Sequence, residues 1–449
     1  MRRWIKRLLI ALVVLVVLLL LVGGGAWWYF RPPTPEMVMT PMRDGVKLAT
    51  DVYVPRHGGP AFPVIAVRTV YGRRAEGTGF VAGVLAAKGY ALAIQDTRGR
   101  GDSEGKEIVF ADDGWGERQD GADMIAWVKK QPWCNGNIAT WGGSALGIVQ
   151  VRMAPATQDL KAQSMGVAAS NFYGQLSYRG GVFRKALSED WLKAQKVPYM
   201  IDLWHGHPTY DDFWKEYNVE TQAEKITAPG IHTGGWWDIF GQGTINNFVT
   251  RQHLGGPGAK GNQKLIMGAW VHGPVRKVGD LVMKENFNYD IVGSEARFFD
   301  YWCKGTKNGI MYEAAVNYYT LGDVFDPNAP GNEWHTANDW PPFPTVDTAY
   351  FLHGDKSLST SPATEPDAKL TYAYDPANPC PTHGGAELTI PAGPFDQKEL
   401  GKRPDVLAFS TAPLTAPVEV TGNVHVRLFV STDAPDTDFT AKLVDIYPD

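Results

Sequence analysis

The chain has 449 residues, more than one ordinary domain accommodates, so two or more are expected. Hydrophobic residues at 44% and charged residues at 20% suit a large core, and a formal net charge of -5 excludes the clustered basic face that nucleic acid needs. Cys134, Cys303 and Cys380 lie far apart, show no C-x-x-C metal spacing and allow one disulfide at most.

The chain opens on "MRRWIKR", followed by unbroken apolar sequence from Leu8 to Val22 that continues through "GGGAWWYF" to Phe30. A run of about 23 residues can cross a hydrocarbon core of ~30 Å. Trp27, Trp28 and Tyr29 would form an interfacial aromatic belt, with the basic end in the cytoplasm. Residues 1–30 are therefore expected to be an uncleaved transmembrane anchor that holds the remainder outside the cytoplasm, periplasmic or at the cell surface. The alternative is a cleaved signal peptide with Val22-Gly23-Gly24 as its small-residue site, giving a secreted protein. "RPPTPE" opens a stiff spacer over 31–38.

Residues 39–345 are expected to form one α/β domain. "VKLATDVYV" (Val46 to Val54) alternates at period two and predicts an early antiparallel strand. Near-continuous apolar runs follow at Pro63–Tyr71, Tyr90–Asp96, Asn137–Trp141, Lys161–Ala169, Gly230–Gly235 and Lys264–Trp270, as in strands buried on both faces of a parallel sheet. Helical stretches lie between them, Glu117–Lys130 for example, with Met124, Ile125 and Val128 on one face. This alternation predicts a doubly wound α/β sheet. Residues 171–228, rich in Trp and Tyr and without a clear strand, are expected to form a helical cap over the carboxyl edge. From 346 to 449, short alternating runs such as "VEVTG", "NVHVRLFVS" and "DFTAKLVDIY" predict an all-β sandwich. There are no internal repeats.

"WGGSALGIV" (Trp141 to Val149) places Ser144 just past a predicted strand. The familiar nucleophile turn is G-x-S-x-G. Here Leu146 stands at the second position after the serine and Gly147 at the third, so the local pattern leaves open whether Ser144 is a nucleophile or a loop residue. Gly142, Gly143 and Ala145 would permit a sharp strand-to-helix turn, and Gly147 would let the next helix pack closely. A serine nucleophile needs a base oriented by a carboxylate, and on an open α/β sheet the order is Ser, Asp or Glu, His. Asp238 in "GGWWDIF" and His272 in "GAWVHG" each follow a predicted strand, in that order. Of ten histidines, His272 alone follows both residues directly off a buried strand. His232 lies inside a strand and His253 in a polar stretch. The backbone N–H of Ala145 is the expected first oxyanion donor. Tyr71, opening the loop after the 63–71 run, is on position alone an ordinary strand-end tyrosine.

"RDGVKLATDVYVP", "RTVYGR", "GYALAIQDTRGRGDSEG", "PWCNGNIATWGGSALG", "GGWWDIF" and "GAWVHG" together resemble the cocaine esterase and X-Pro dipeptidyl-peptidase (CocE/NonD) family of serine hydrolases, from about Pro41 to the C-terminus. The resemblance implies an α/β-hydrolase domain, a helical cap and a C-terminal jelly roll. It implies Ser144 as nucleophile, Asp238 as acid, His272 as base, and Tyr71 beside Ala145 in the oxyanion hole. It implies a small-molecule ester or amide as substrate, an acyl-enzyme intermediate, and no metal or other cofactor. Three departures stand out. "ASNFYGQLSYRGG" offers Asn171, Gln175 and Arg179 but no acid to hold a substrate ammonium, as the family's amino-acid ester hydrolases do. The cap reads as shortened between Lys196 and Asp202. The jelly roll of the family continues beyond "LVDIYPD", so the sandwich is expected to be incomplete, with open strand edges. The rivals to an esterase or acylase are an X-Pro dipeptidyl-peptidase, which needs an ammonium site, and a non-catalytic hydrolase-fold binding module or fragment.

Other signals are set aside. "GTGFVAG" misses the nucleotide-binding spacing. "WHGHPTYDD", with His205, His207, Asp211 and Asp212, is read as a structural cap segment rather than a metal site. "DTRGRGDSEG" is read as a turn with an internal ion pair among Asp96, Arg98 and Asp102.

Overall fold

The computed structural model describes residues 33–364 and 368–447. Its centre is a ten-stranded sheet. In chain order the strands are β1 (Glu36–Pro41), β2 (Lys47–Tyr53), β3 (Phe62–Thr69), β4 (Ala91–Asp96), β5 (Cys134–Gly143), β6 (Leu160–Gly166), β7 (Gly230–Gly235), β8 (Gln263–Gly268), β9 (Val316–Thr320) and β10 (Glu333–Ala337). Their spatial order is β1-β2-β4-β3-β5-β6-β7-β8-β9-β10. From β4 to β9 all neighbours are parallel, while β1, β2 and β10 run antiparallel to theirs.

The apolar runs are buried on both faces because helices cover both. In β3 every residue is buried. Ile65 and Val67 face Ala82 of helix α1 (Thr78–Ala87) and Phe298 and Phe299 of helix α8 (Ile291–Lys304) in one cluster. Val64 and Ala66 face the opposite way, against Met124, Ile125 and Val128 of helix α2 (Asp120–Lys129). The two-residue period of a strand thus feeds two cores at once. The chain leaves β3 toward β4 on one side and returns to β5 on the other. The ends of β3 and β5 therefore border a topological switch point, where ligands bind in open α/β sheets.

Within 39–345 the last strand expected from the sequence is Lys264–Trp270. β9 and β10 extend the sheet beyond that, and β1 starts within the expected spacer. Residues 171–228 carry α4 (Lys185–Ala194), α5 (Tyr199–His205) and α6 (Asp212–Lys215) around a core of Trp204, Trp214 and Tyr217. They also carry a small hairpin that pairs Tyr178–Arg179 with Val182–Phe183, where no strand is expected. His207 bonds Asp211 at 2.6 Å, while His205 faces Glu189 at 3.8 Å, so these histidines do not converge. Cys134, Cys303 and Cys380 are unpaired.

Two expectations about whole segments are corrected. The first is the transmembrane helix. Among the described residues no helix is long and apolar enough to cross a membrane. The longest, α7 (Gly241–Leu254) and α8, have 14 residues, about 21 Å against a core of ~30 Å. The segment 1–30 lies outside the described residues. The membrane contact and the extracytoplasmic placement rested on that segment alone and are not carried further. The second is the β-sandwich over 346–449. There the described residues form one two-residue pair, Phe351–Leu352 with Leu358–Ser359, isolated bridges, and a short helix at Lys398–Gly401. The "VEVTG" and "NVHVRLFVS" runs carry no ladder. Their Val418, Val420, Val424 and Val426 are each more than half exposed. Alternation makes a sandwich strand only where a facing sheet covers one side.

A buried charge network lines the carboxyl edge of β3 and β4. Arg73 bonds Asp96 at 2.6 Å, Asp51 at 2.9 Å and Asp102 at 2.5 Å. Arg98 reaches Asp120 at 2.6 Å and Asp44 at 2.8 Å. The ion pair expected inside "DTRGRGDSEG" is therefore corrected: Asp96 and Asp102 share Arg73 from the next loop, and Arg98 turns to α2. Arg100 bonds Glu107 at 2.5 Å. Burial nevertheless outweighs the nearby guanidinium and raises Glu107 from 4.5 to about 7.

The folded protein therefore holds a proton on Glu107 that the unfolded chain releases at lower pH. Its contribution to stability is complete below the ordinary carboxylate range and is lost as pH rises through about 7. The thermal midpoint should fall between pH 5 and 8, and Glu107→Gln should flatten that fall; a slope unchanged in the variant would refute the assignment. Gly147→Ala tests the packing of α3 (Ala145–Met153), since a Cβ at Gly147 would meet the Gly166 carbonyl at 2.8 Å and Ala168 Cβ at 2.9 Å. The expected cost is ~1–3 kcal/mol, read from urea unfolding.

Candidate active site

Ser144 is the single residue between β5 and α3. Its backbone sits at φ 54° and ψ -129°, a costly conformation for a side chain to adopt. Its N–H donates to the Gly166 carbonyl at 3.0 Å, and its own carbonyl accepts from Ile148 N–H at 2.8 Å. The Gln150 amide, one turn into α3, donates to the carbonyls of Gly142 at 2.9 Å and Ser164 at 2.7 Å. These bonds tie the helix start to two strands, and the absent Cβ of Gly147 allows the close approach.

Asp238 and His272 come from the loops after β7 and β8. The loops are laced together: Trp236 N–H donates to the Gly268 carbonyl and Trp237 N–H to the Trp270 carbonyl, both at 3.0 Å. Gly235 permits this, because a Cβ there would meet the Trp270 carbonyl oxygen at 2.3 Å. The Asp238 side chain is fully buried. One carboxylate oxygen accepts from Phe240 N–H at 2.8 Å, and the other is hydrogen-bonded to Nδ1 of His272. On the far side of the ring, Nε2 of His272 lies 2.8 Å from Oγ of Ser144. The three residues selected in the sequence thus form one chain of contacts across separations of 128 and 34 residues. His232 is buried in β7 against Gln263, and His253 pairs with Asp339 at the surface.

Ala145 is the first residue of α3, so its N–H has no partner within the helix. Tyr71 follows β3 on a half-exposed loop whose Arg73 is anchored by three carboxylates. The Tyr71 phenol oxygen accepts from the indole N–H of Trp191 at 3.3 Å.

Ser144 opens into an apolar pocket of about 380 Å³, part of it open to solvent. Phe110, Leu187, Trp191, Trp204, Phe240 and Leu388 line it beside Ser144 and Ala145, and among the described residues no carboxylate does. Apart from Ser144 and Ala145, these lining residues were not singled out in the sequence. Trp191 and Trp204 belong to the aromatic-rich cap, but nothing in their local spacing marks them as pocket wall, and Phe110 and Phe240 lie outside the cap. Leu388 lies in "AELTI", within the 346–449 segment expected to be a sandwich, and nothing local marks it as pocket wall. Gln175, in the cap stretch that lacks acids, is bound to Glu220, whose carboxylate also takes Ser170 and Asn246.

The profile described as X-Pro dipeptidyl-peptidase (S15 family) matches residues 44–199 and 185–274. That of the X-Pro dipeptidyl-peptidase C-terminal non-catalytic domain matches residues 308–449. Cocaine esterase of Rhodococcus sp. (strain MB1 Bresler) is 31% identical over 482 residues, which span 92% of this chain and 80% of that esterase. A CocE/NonD family hydrolase from Staphylococcus aureus superposes with a TM-score of 0.60 at 21% identity, covering 73% of this chain and 60% of that one. An α-amino acid ester hydrolase superposes with a TM-score of 0.65 at 24% identity, covering 86% of this chain and 74% of its own. At those identities the two structures speak for the fold. The family resemblance read from six motifs is borne out across the matched segments, and the chain belongs to the X-Pro dipeptidyl-peptidase (S15) family as an ester hydrolase of the CocE/NonD type.

Proposed function

We propose that the protein cleaves esters of apolar acyl groups through an acyl-enzyme formed on Ser144. The observation that carries this reading is the bond between Ser144 Oγ and His272 Nε2 at 2.8 Å, at the floor of an apolar pocket. Ser144 attacks the substrate carbonyl while His272 takes its proton. Asp238 holds the proton on Nδ1 and offsets the imidazolium charge. Tyr71 and the Ala145 N–H donate to the oxyanion as the carbonyl becomes tetrahedral. His272 then protonates the leaving alcohol. A water, deprotonated by the same imidazole, releases the acid and restores Ser144.

The pocket lining favours an ester over an N-terminal dipeptide. A dipeptidyl-peptidase must hold a substrate ammonium, and among the described residues no lining side chain carries a negative charge. The Ser144–His272–Asp238 alignment speaks against a non-catalytic binding module, since a strained serine has no packing purpose.

Ser144→Ala should lower p-nitrophenyl butyrate turnover by ~10⁴-fold or more and abolish labelling by a fluorophosphonate probe. Turnover at the wild-type rate in that variant would end the nucleophile assignment. The wild-type protein should cleave p-nitrophenyl butyrate at a higher kcat/KM than Ala-Pro-p-nitroanilide; the reverse ranking would favour the peptidase.

A further inference from the structure

We propose that Trp191, on cap helix α4, is a positioning residue of the oxyanion hole, acting through Tyr71. The proposal rests on the reading of Tyr71 as an oxyanion donor and assigns what makes that donor competent. An indole nitrogen can only donate, so the 3.3 Å contact has one polarity: Trp191 N–H gives and the Tyr71 oxygen accepts. The phenol's own proton stays uncommitted. Accepting a hydrogen bond also polarises the phenol O–H and makes it a better donor to a developing oxyanion.

Tyr71 needs such a tether because it is 46% exposed on a loop. Trp191 can supply one because it is itself immobilised. Its ring stacks on Phe110 at 5.5 Å with an interplanar angle of 19°. Phe110 is buried, packs edge-on against Phe172 at 5.2 Å, and has φ 62°. Its carbonyl accepts from Nε of Arg152 at 3.1 Å. Arg152 lies on α3, the helix that begins directly after Ser144, and carries no carboxylate partner among the described ion pairs; Trp115 and Tyr217 stack on its guanidinium instead. A continuous set of contacts therefore runs from the nucleophile helix through Phe110 and Trp191 to the phenol.

The test is a double-mutant cycle on the full-length protein, with p-nitrophenyl butyrate as substrate. Tyr71→Phe should lower kcat by ~100-fold, the scale of one lost oxyanion donor. Trp191→Phe keeps an aromatic face for Phe110 but deletes the N–H, and should lower kcat by ~10-fold, the scale of one neutral hydrogen bond; because Trp191 also lines the pocket, any change in KM belongs to the lining and should be the same with Tyr71 or Phe at position 71. In the Tyr71→Phe background, Trp191→Phe should change kcat by less than about 2-fold, because the bond it removes is already gone. Replacing Trp191 with 3-benzothienylalanine, which keeps the indole shape without its N–H, should reproduce the Trp191→Phe result and exclude a packing effect. If Tyr71→Phe lowers kcat but the Trp191 variants lower it equally in both backgrounds, or act on KM alone, the Trp191 assignment fails and the oxyanion role of Tyr71 stands. If Tyr71→Phe leaves kcat unchanged, both fail.

Discussion

The turn at Ser144 sets the terms for the rest of the molecule. A serine at positive φ, with a strand ending one residue before it and a helix starting one residue after, is a conformation the isolated chain would avoid. It persists because neighbours over-determine it. The Gly166 carbonyl takes the serine N–H, Gln150 bonds back to β5 and β6, and Gly147 leaves no side chain to wedge the helix away from the sheet. The strain is local, and the forces that hold it come from the parallel sheet. A hydroxyl so presented is exposed to the imidazole on one side and to the pocket on the other.

The same logic governs the loops after β7 and β8. Two consecutive strand ends are stitched by backbone bonds at Trp236 and Trp237, which brings Asp238 beneath His272 with its second oxygen held by Phe240 N–H. A buried carboxylate is costly unless its lone pairs are satisfied. Here the imidazole and a peptide N–H share that task. On the other side of the switch point, the Arg73 network fixes the loop that carries Tyr71. Three buried charges, Arg73, Asp51 and Asp96, with the exposed Asp102 beside them, are spent on loop geometry rather than on stability, since buried ion pairs return little net energy once desolvation is counted.

Much of this was legible in one dimension because the chemistry is ordered along strands. Ser144, Asp238 and His272 each follow an apolar run, and burial on both faces of a parallel sheet makes those runs continuous and visible. β9 and β10 were missed: "VNYYT" and "EWHTA" are short, and both lie on the sheet's far side, where β10 is an edge strand that needs no strong pattern. The "NVHVRLFVS" run erred in the opposite direction. Its alternation is as clear as that of β2, yet its valines find no facing layer and no ladder. The lining residues Phe110, Trp191 and Leu388 carry no local signal, because a pocket wall is assembled from segments about 80 to 280 residues apart.

The amino-acid order by itself determined the layer architecture, the family, and the three side chains that meet at the carboxyl edge. Those depend on periodicity, on glycine at close approaches, and on the order of strand ends, all of which are properties of neighbours in the chain. The tertiary structure alone decided which tryptophan reaches the Tyr71 phenol, that Asp96 and Asp102 converge on Arg73 instead of Arg98, and that the C-terminal alternation yields no sandwich among the described residues. Each of these depends on what stands opposite a side chain in space, and pairing across distant segments leaves no trace in local spacing.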